Sequence, residues 1–129
     1  MTRYLLDTTA LIDFSKGREP ARSQIPSMID AGDDLGVCGV NIAEFYSGLS
    51  ATQRALWDEF VNALHYWGIS AQAAKQAGIW RYDFARRGVT LSTTDSLIAG
   101  VAFEVQAIVV TNNVKDYPME ELPVLPLTN

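Results

Sequence analysis

Apolar positions along this chain alternate between short continuous runs and longer stretches with helical spacing. Tyr4, Leu5 and Leu6 form a run closed by Asp7, Thr8 and Thr9; Ala10, Leu11, Ile12 and Phe14 then continue up to Ser15, Lys16 and Gly17. This pattern predicts a buried strand over residues 3–7, a turn capped by Thr8 or Thr9, and a short helix. A second helix is predicted over 20–31, with Gly32 as its stop, and a second strand over 35–39. Ile42, Phe45, Tyr46 and Leu49 fall at i, i+3, i+4 and i+7, one helical face for which Asn41 is the expected N-cap. Leu56, Phe60, Ala63 and Leu64 repeat the spacing in a longer helix, and 65–69 reads as a short strand. Ser70 is the expected cap of a helix whose stripe is Ala73, Ala77, Trp80 and Phe84. Its last turn carries Arg86 and Arg87, where cations suit the helix dipole, and Gly88 ends it. Residues 92–106 offer Ser and Thr caps before a broad stripe of Leu97, Ile98, Val101, Ala102 and Val105. A strand over 107–110 and an edge strand over 124–127, where flanking prolines are tolerated, complete the order.

Short apolar strands alternating with helices imply an α/β protein, a three-layer α/β/α sandwich around a short parallel sheet covered on both faces. The 129 residues hold no repeat or low-complexity tract, so a single domain over 1–129 is expected. In such sheets ligands bind beyond the carboxyl ends of the strands, near the point where strand order reverses. The 48% apolar and 19% charged content is that of a chain able to bury a core. A net charge of -5 argues against polyanion binding by the whole surface and requires any such partner to meet a local basic patch. No apolar run approaches the ~20 residues that span a bilayer, and the opening MTRYLLDTTALIDF places acids where a signal peptide needs uninterrupted apolar residues. A soluble cytoplasmic protein without membrane contact is therefore expected. Cys38 is the only cysteine, which excludes an intrachain disulfide, and with His65 the only histidine a zinc site of the usual kind is excluded too.

The candidate chemistry lies in four acids. Asp7 ends the first predicted strand, Asp95 opens a helix, and Asp116 follows the strand ending at Val110. Glu44 lies roughly 200° round its helix from Ile42, away from the apolar stripe, with Gly48 one turn later on the same face, so it faces a cleft. Each acid alone also reads as an ordinary turn, cap or solvated residue. Together in one cleft they repel and persist only if a cation neutralises them. An all-oxygen donor set favours a hard ion, Mg²⁺ or Mn²⁺.

The segments LLDTTALID (5–13), NIAEFYSG (41–48), GVTLSTTDSLIAGVA (88–102) and VVTNNVKDYP (109–118) resemble, in order and spacing, the four motif blocks of the PIN-domain family. The chain is most similar to the VapC-type toxin ribonucleases of toxin-antitoxin pairs. The resemblance covers nearly the whole chain. It departs at Thr9, where the first block usually has Asn, and at Thr94, where the third often has Ala; neither change removes a carboxylate. The resemblance implies a metal-dependent endoribonuclease using Mg²⁺ (or Mn²⁺), with Asp7, Glu44, Asp95 and Asp116 as its catalytic, metal-holding quartet and Thr111 and Asn113 as polar residues of the fourth block. On this reading Asp7 and Asp95 are direct ligands, Asp116 a direct or water-mediated ligand, and Glu44 a ligand or an orienter of the attacking water. Thr8, Thr9 and Asn113 hold these carboxylates in place. The resemblance further implies a cognate antitoxin and a homodimer. An antitoxin segment bearing Arg or Lys would enter the acidic cleft and lie along helices between Ile42 and Leu64, where Phe45, Tyr46 and Trp57, with Trp67 and Trp80, exceed what a small core needs.

Arg81, Arg86, Arg87 and Lys115, with Lys16 and Arg18, are the candidate cations for steering RNA phosphates. His65 reads as structural and Cys38 as a buried core thiol. An aspartate-nucleophile phosphatase needs a second Asp where Thr9 stands, and a receiver domain places its Asp after a central strand with a separate Lys; neither fits. The remaining alternative is a catalytically inert PIN-like module that binds RNA or protein.

Overall fold

The computed structural model describes residues 1–127. Five strands, β1 (Arg3–Leu6), β2 (Asp34–Val37), β3 (His65–Tyr66), β4 (Ile108–Thr111) and β5 (Val124–Pro126), form one parallel sheet in the order β3-β2-β1-β4-β5. Helices α1 (Thr8–Ser15), α2 (Ala21–Asp30), α3 (Gly39–Ser47), α4 (Ala51–Ala63), α5 (Ala71–Arg86) and α6 (Thr93–Val105) cover it. Adjacent strand residues point to opposite faces, so Leu5 and Val109 join α5 and α6 in one buried cluster, while Leu6 and Val110 join α1, α2 and α3 in the other. The expected three-layer α/β/α sandwich is what these two clusters build.

Two caps differ from expectation. The cap of α1 is Asp7, whose carboxylate accepts the Ala10 amide at 2.9 Å, so Thr8 and Thr9 already lie inside the helix with their hydroxyls free for other partners. Helix α3 starts at Gly39, so its N-cap is Cys38, and Asn41, fully buried in the first turn, is the third helical residue, whose side chain completes a capping box. The Asn41 Oδ1 accepts the Cys38 amide at 2.7 Å and its Nδ2 donates to the Leu6 carbonyl, which ties the end of β1 to the start of α3.

The stripe of α4 is also displaced. Leu56 is 70% exposed and Ala63 is exposed, whereas Trp57, Phe60, Val61 and Leu64 pack inward. Phe14 of α1 selects this phase, with ring centroids 5.7 Å from Trp57 and 4.9 Å from Phe60. The third strand stops at Tyr66 because Trp67 turns across β2, where a Cβ on Gly36 would lie 2.4 Å from its ring. His65 pairs with Asp34 at 3.3 Å and stacks on Trp67, in keeping with a structural role, and Cys38 is fully buried. The stripe of α5 (Ala73, Ala77, Trp80, Phe84) is buried as expected. On α6, Ser96, Ile98, Ala99, Gly100, Val101 and Ala102 are buried, while Leu97 and Val105 are half-buried. Gly100 permits the α5–α6 approach, since a Cβ there would meet the Ala73 carbonyl oxygen at 2.4 Å.

Candidate active site

The sheet register brings the carboxyl ends of β1, β2 and β4 level: Leu5 pairs with Gly36 and Leu6 with Val110. Strand order reverses at β1, with β2 on one side and β4 on the other, which opens a crevice over its end. Asp7 stands there, 3% exposed, its amide donating to the Val110 carbonyl at 3.1 Å. The Oδ1 of Asp7 accepts from the Thr9 hydroxyl at 2.6 Å and from the Ala10 amide, and its Oδ2 accepts from the Tyr117 hydroxyl at 3.2 Å. Because the single Thr9 proton goes to Asp7, Thr111 is the donor in the 3.2 Å contact between the two threonine hydroxyls. Thr9 Oγ1 and Thr111 Oγ1 accept in turn the amides of Asn112 and Asn113, each at 3.0 Å. The two threonines therefore lock the loop after β4 onto the Asp7 carboxylate.

The other acids are held from the same direction. Glu44, half-buried on α3, accepts the Thr8 hydroxyl at 2.7 Å. It lines a small cavity of about 150 Å³ with Ile12, Lys16, Gly48, Leu49 and Trp57. Phe45 and Leu49 of the apolar stripe share its walls, and none of the other three acids lines it. Asp116 closes a 3-10 turn over Val114–Asp116 and accepts the Asn113 side-chain amide at 2.7 Å. Asp95 is in the first turn of α6, where its amide takes the Ser92 cap at 3.1 Å.

Electrostatics shows that the four acids share one field. Burial pushes the Asp95 carboxyl above its ordinary range, and the charges of Asp116, Asp7 and Glu44 add to that rise, against a lowering by Ser92. Burial also raises Asp7, against the nearby Thr111 hydroxyl and the hydrogen bonds from Thr9, Ala10 and Tyr117, which favour its charged form. Among the described residues the ion pairs are Arg18–Asp13 and His65–Asp34, and neither reaches this quartet. Carboxylates in one field without an ion-pair partner fit a hard divalent ion with oxygen ligands. Among the described residues no three His, Cys, Asp or Glu side chains are gathered closely enough to enclose an ion as they stand.

The candidate cations have local partners. Arg81 donates through Nε to the Leu91 carbonyl at 3.1 Å, bracing the segment that leads into α6. The guanidinium of Arg86 lies 4.3 Å from the Tyr82 ring centre and that of Arg87 4.1 Å from Phe84. Lys115 is exposed beside Asp116. Sequence reasoning missed two residues. Tyr117 carried no signal beyond being an aromatic next to Asp116. The helical spacing of Asn41 and Phe45, four apart, already placed Asn41 on the buried face.

The structure is thus a parallel α/β sandwich with Asp7 at its switch point and Asp95, Asp116 and Glu44 within reach of the same electrostatic field. The chain belongs to the PIN domain family, whose model matches residues 4–117. Among similar proteins, "Ribonuclease VapC19" of Mycobacterium tuberculosis is 27% identical over 117 residues, which cover 89% of this chain and 92% of that one. The "tRNA(fMet)-specific endonuclease VapC" of Shigella flexneri is 28% identical over 122 residues, covering 91% of each. The crystal structure of VapBC2 from Rickettsia felis, bound to a DNA fragment from its promoter, superposes with a TM-score of 0.86 at 21% identity. That match spans 98% of this chain and 100% of that one and establishes the shared fold. None of the described helices is long and apolar enough to cross a membrane.

Proposed function

We propose that this chain is an Mg²⁺- or Mn²⁺-dependent endoribonuclease and the toxin of a toxin-antitoxin pair, acting in the cytoplasm as one domain. The observation that carries this reading is the mutual field of Asp7, Glu44, Asp95 and Asp116 at the β1 end, which none of the ion pairs among the described residues reaches. The names of its relatives, ribonucleases and an endonuclease specific for a tRNA, point to RNA as the substrate. A divalent ion, when bound, supplies charge to offset the phosphate, polarise the attacking water and stabilise the leaving oxygen. Asp7 and Asp95 are the residues we assign as its ligands, with Asp116 as a direct or water-mediated ligand. Glu44, steadied by Thr8, holds the ion or orients the attacking water, and Asn113 steadies Asp116. Arg81, Arg86, Arg87 and Lys115 attract the phosphates that flank the cut.

The antitoxin reading is supported by the solved neighbours, which include a toxin-antitoxin complex from Klebsiella pneumoniae. The cavity beside Glu44 has apolar walls from Ile12, Leu49 and Trp57, which suit an antitoxin segment whose Arg or Lys pairs with Glu44 or Asp116. A homodimer would set two such clefts side by side.

Purified protein with single-stranded RNA tests this reading. Cleavage with Mg²⁺ or Mn²⁺, its loss with EDTA and in Asp95→Asn, and 5′-phosphate ends are expected. RNA binding without cleavage under every metal condition would instead favour the inert module. Coexpression with the neighbouring gene should suppress the growth arrest seen with the chain alone.

A further inference from the structure

The Tyr117 ring is buried among the apolar residues facing α5 and α6, in a cluster that includes Trp80, Phe84, Met119 and Leu122, with the residue only 3% exposed. A phenylalanine would fill that volume without placing a hydroxyl in a desolvated site. The hydroxyl has one partner, Oδ2 of Asp7 at 3.2 Å, across 110 residues of chain. The opposite oxygen of Asp7 is already engaged by Thr9 and the Ala10 amide, so Tyr117 is the protein donor that fixes the second oxygen and with it the plane of the carboxylate. Its placement is also specific. Tyr117 directly follows the turn that presents Asp116, and its amide closes that turn on the Val114 carbonyl at 3.0 Å. One short segment thus sets Asp116 through Asn113 and Asp7 through the phenol.

We propose that Tyr117 is a positioning residue of the metal site: its hydroxyl orients the Asp7 carboxylate, leaving the remaining lone pair of Oδ2 for the ion, and keeps it in register with Asp116. This inference rests on the metal-dependent reading above. The carboxylate accepts up to about four hydrogen bonds or ligands, of which the protein supplies three donors here, so a place for the ion remains. Removing a partner of this kind typically weakens metal binding by about 10–100-fold.

The test compares the parent with Tyr117→Phe and with Val101→Ala, a core truncation on α6. Mn²⁺ is titrated against the melting temperature and, separately, against RNA cleavage. Tyr117→Phe is expected to melt near the parent without metal and to need roughly 10-fold more Mn²⁺ for half its thermal shift and half its cleavage rate. At saturating Mn²⁺ its kcat should return to within about threefold of the parent, as orientation by excess ion substitutes for orientation by the phenol. Val101→Ala should lower the metal-free melting temperature and leave the Mn²⁺ midpoint in place. An unchanged midpoint in Tyr117→Phe, or a midpoint that Val101→Ala moves equally, overturns the role of Tyr117. A parent protein that shows no thermal response to Mn²⁺ or Mg²⁺ overturns the metal reading itself, a result distinguishable from the first.

Discussion

The Thr8 hydroxyl donates to Oε1 of Glu44 at 2.7 Å, joining the first turn of α1 to the exposed side of α3. Thr8 is free to do this because Asp7, one residue earlier, has taken over the cap of α1. Replacing Thr8 with Val keeps the branched shape and removes the donor. Glu44 then samples other rotamers, and RNA cleavage is expected to fall by about 10-fold or more while the melting temperature stays within a few degrees. Parent-like cleavage rates in Thr8→Val would show that Glu44 needs no such tether.

The raised carboxyls make stability depend on pH in a definite direction. Asp7 is raised by burial, and Asp95 by burial and then by its acidic neighbours. An acid whose folded value lies above its unfolded one binds more protons in the folded state across the window between the two, so the metal-free fold loses stability as pH rises through that window. Metal requires the ionised forms, so added Mn²⁺ should raise the melting temperature most above the window and least below it. Melting in EDTA and in Mn²⁺ as a function of pH should therefore give curves that diverge upward in pH. A metal-free melting temperature that climbs through the same window would contradict the shared field.

Asp95→Asn removes one charge from the cluster while keeping the side chain's size. In EDTA it should melt above the parent, with a shallower pH slope, and its response to Mn²⁺ and its cleavage of RNA should both be lost. A variant less stable than the parent in EDTA would mean that Asp95 serves the fold through contacts other than those of the acid cluster.

Asn41 bonds to the Cys38 amide and the Leu6 carbonyl from a fully buried position. Asn41→Ala strands both backbone groups away from water and is expected to cost roughly 3 kcal/mol in denaturant unfolding. Because these bonds join β1 to α3, the same change should lower cleavage through the relation of Asp7 to Glu44. A cost under about 0.5 kcal/mol would mean that water replaces the amide.

Two glycines should respond oppositely to alanine. At Gly100 the new methyl meets the backbone oxygen of Ala73 at 2.4 Å, which forces α5 and α6 apart at a cost of about 1–3 kcal/mol. At Gly78, exposed within α5, nothing lies within 4 Å, so alanine should add up to about 1 kcal/mol through helix propensity. Equal effects at the two positions would refute the close helix contact.

Local pattern was enough for the elements whose environment is uniform along their length. The strands at Leu5–Leu6 and Val109–Val110 are buried on both faces, so a continuous apolar run identifies them, and the regular stripe of α5 named its buried residues one by one. The apolar runs likewise located Asp7 and Asp116 beyond the carboxyl ends of β1 and β4, and the Ser and Thr caps located Asp95 at the start of α6. What depended on distant partners was not legible. The phase of α4 follows from Phe14 and not from its own apolar spacing, and the end of β3 follows from Trp67 crossing Gly36. The roles of Asn41 and Tyr117 arise from hydrogen bonds spanning 35 and 110 residues, contacts that no local periodicity encodes. Chain chemistry thus determined the strands, the helices and the positions of the acids along them, while tertiary packing alone decided which neutral donors aim those carboxylates, because a hydrogen bond depends on distances and angles set by the whole fold.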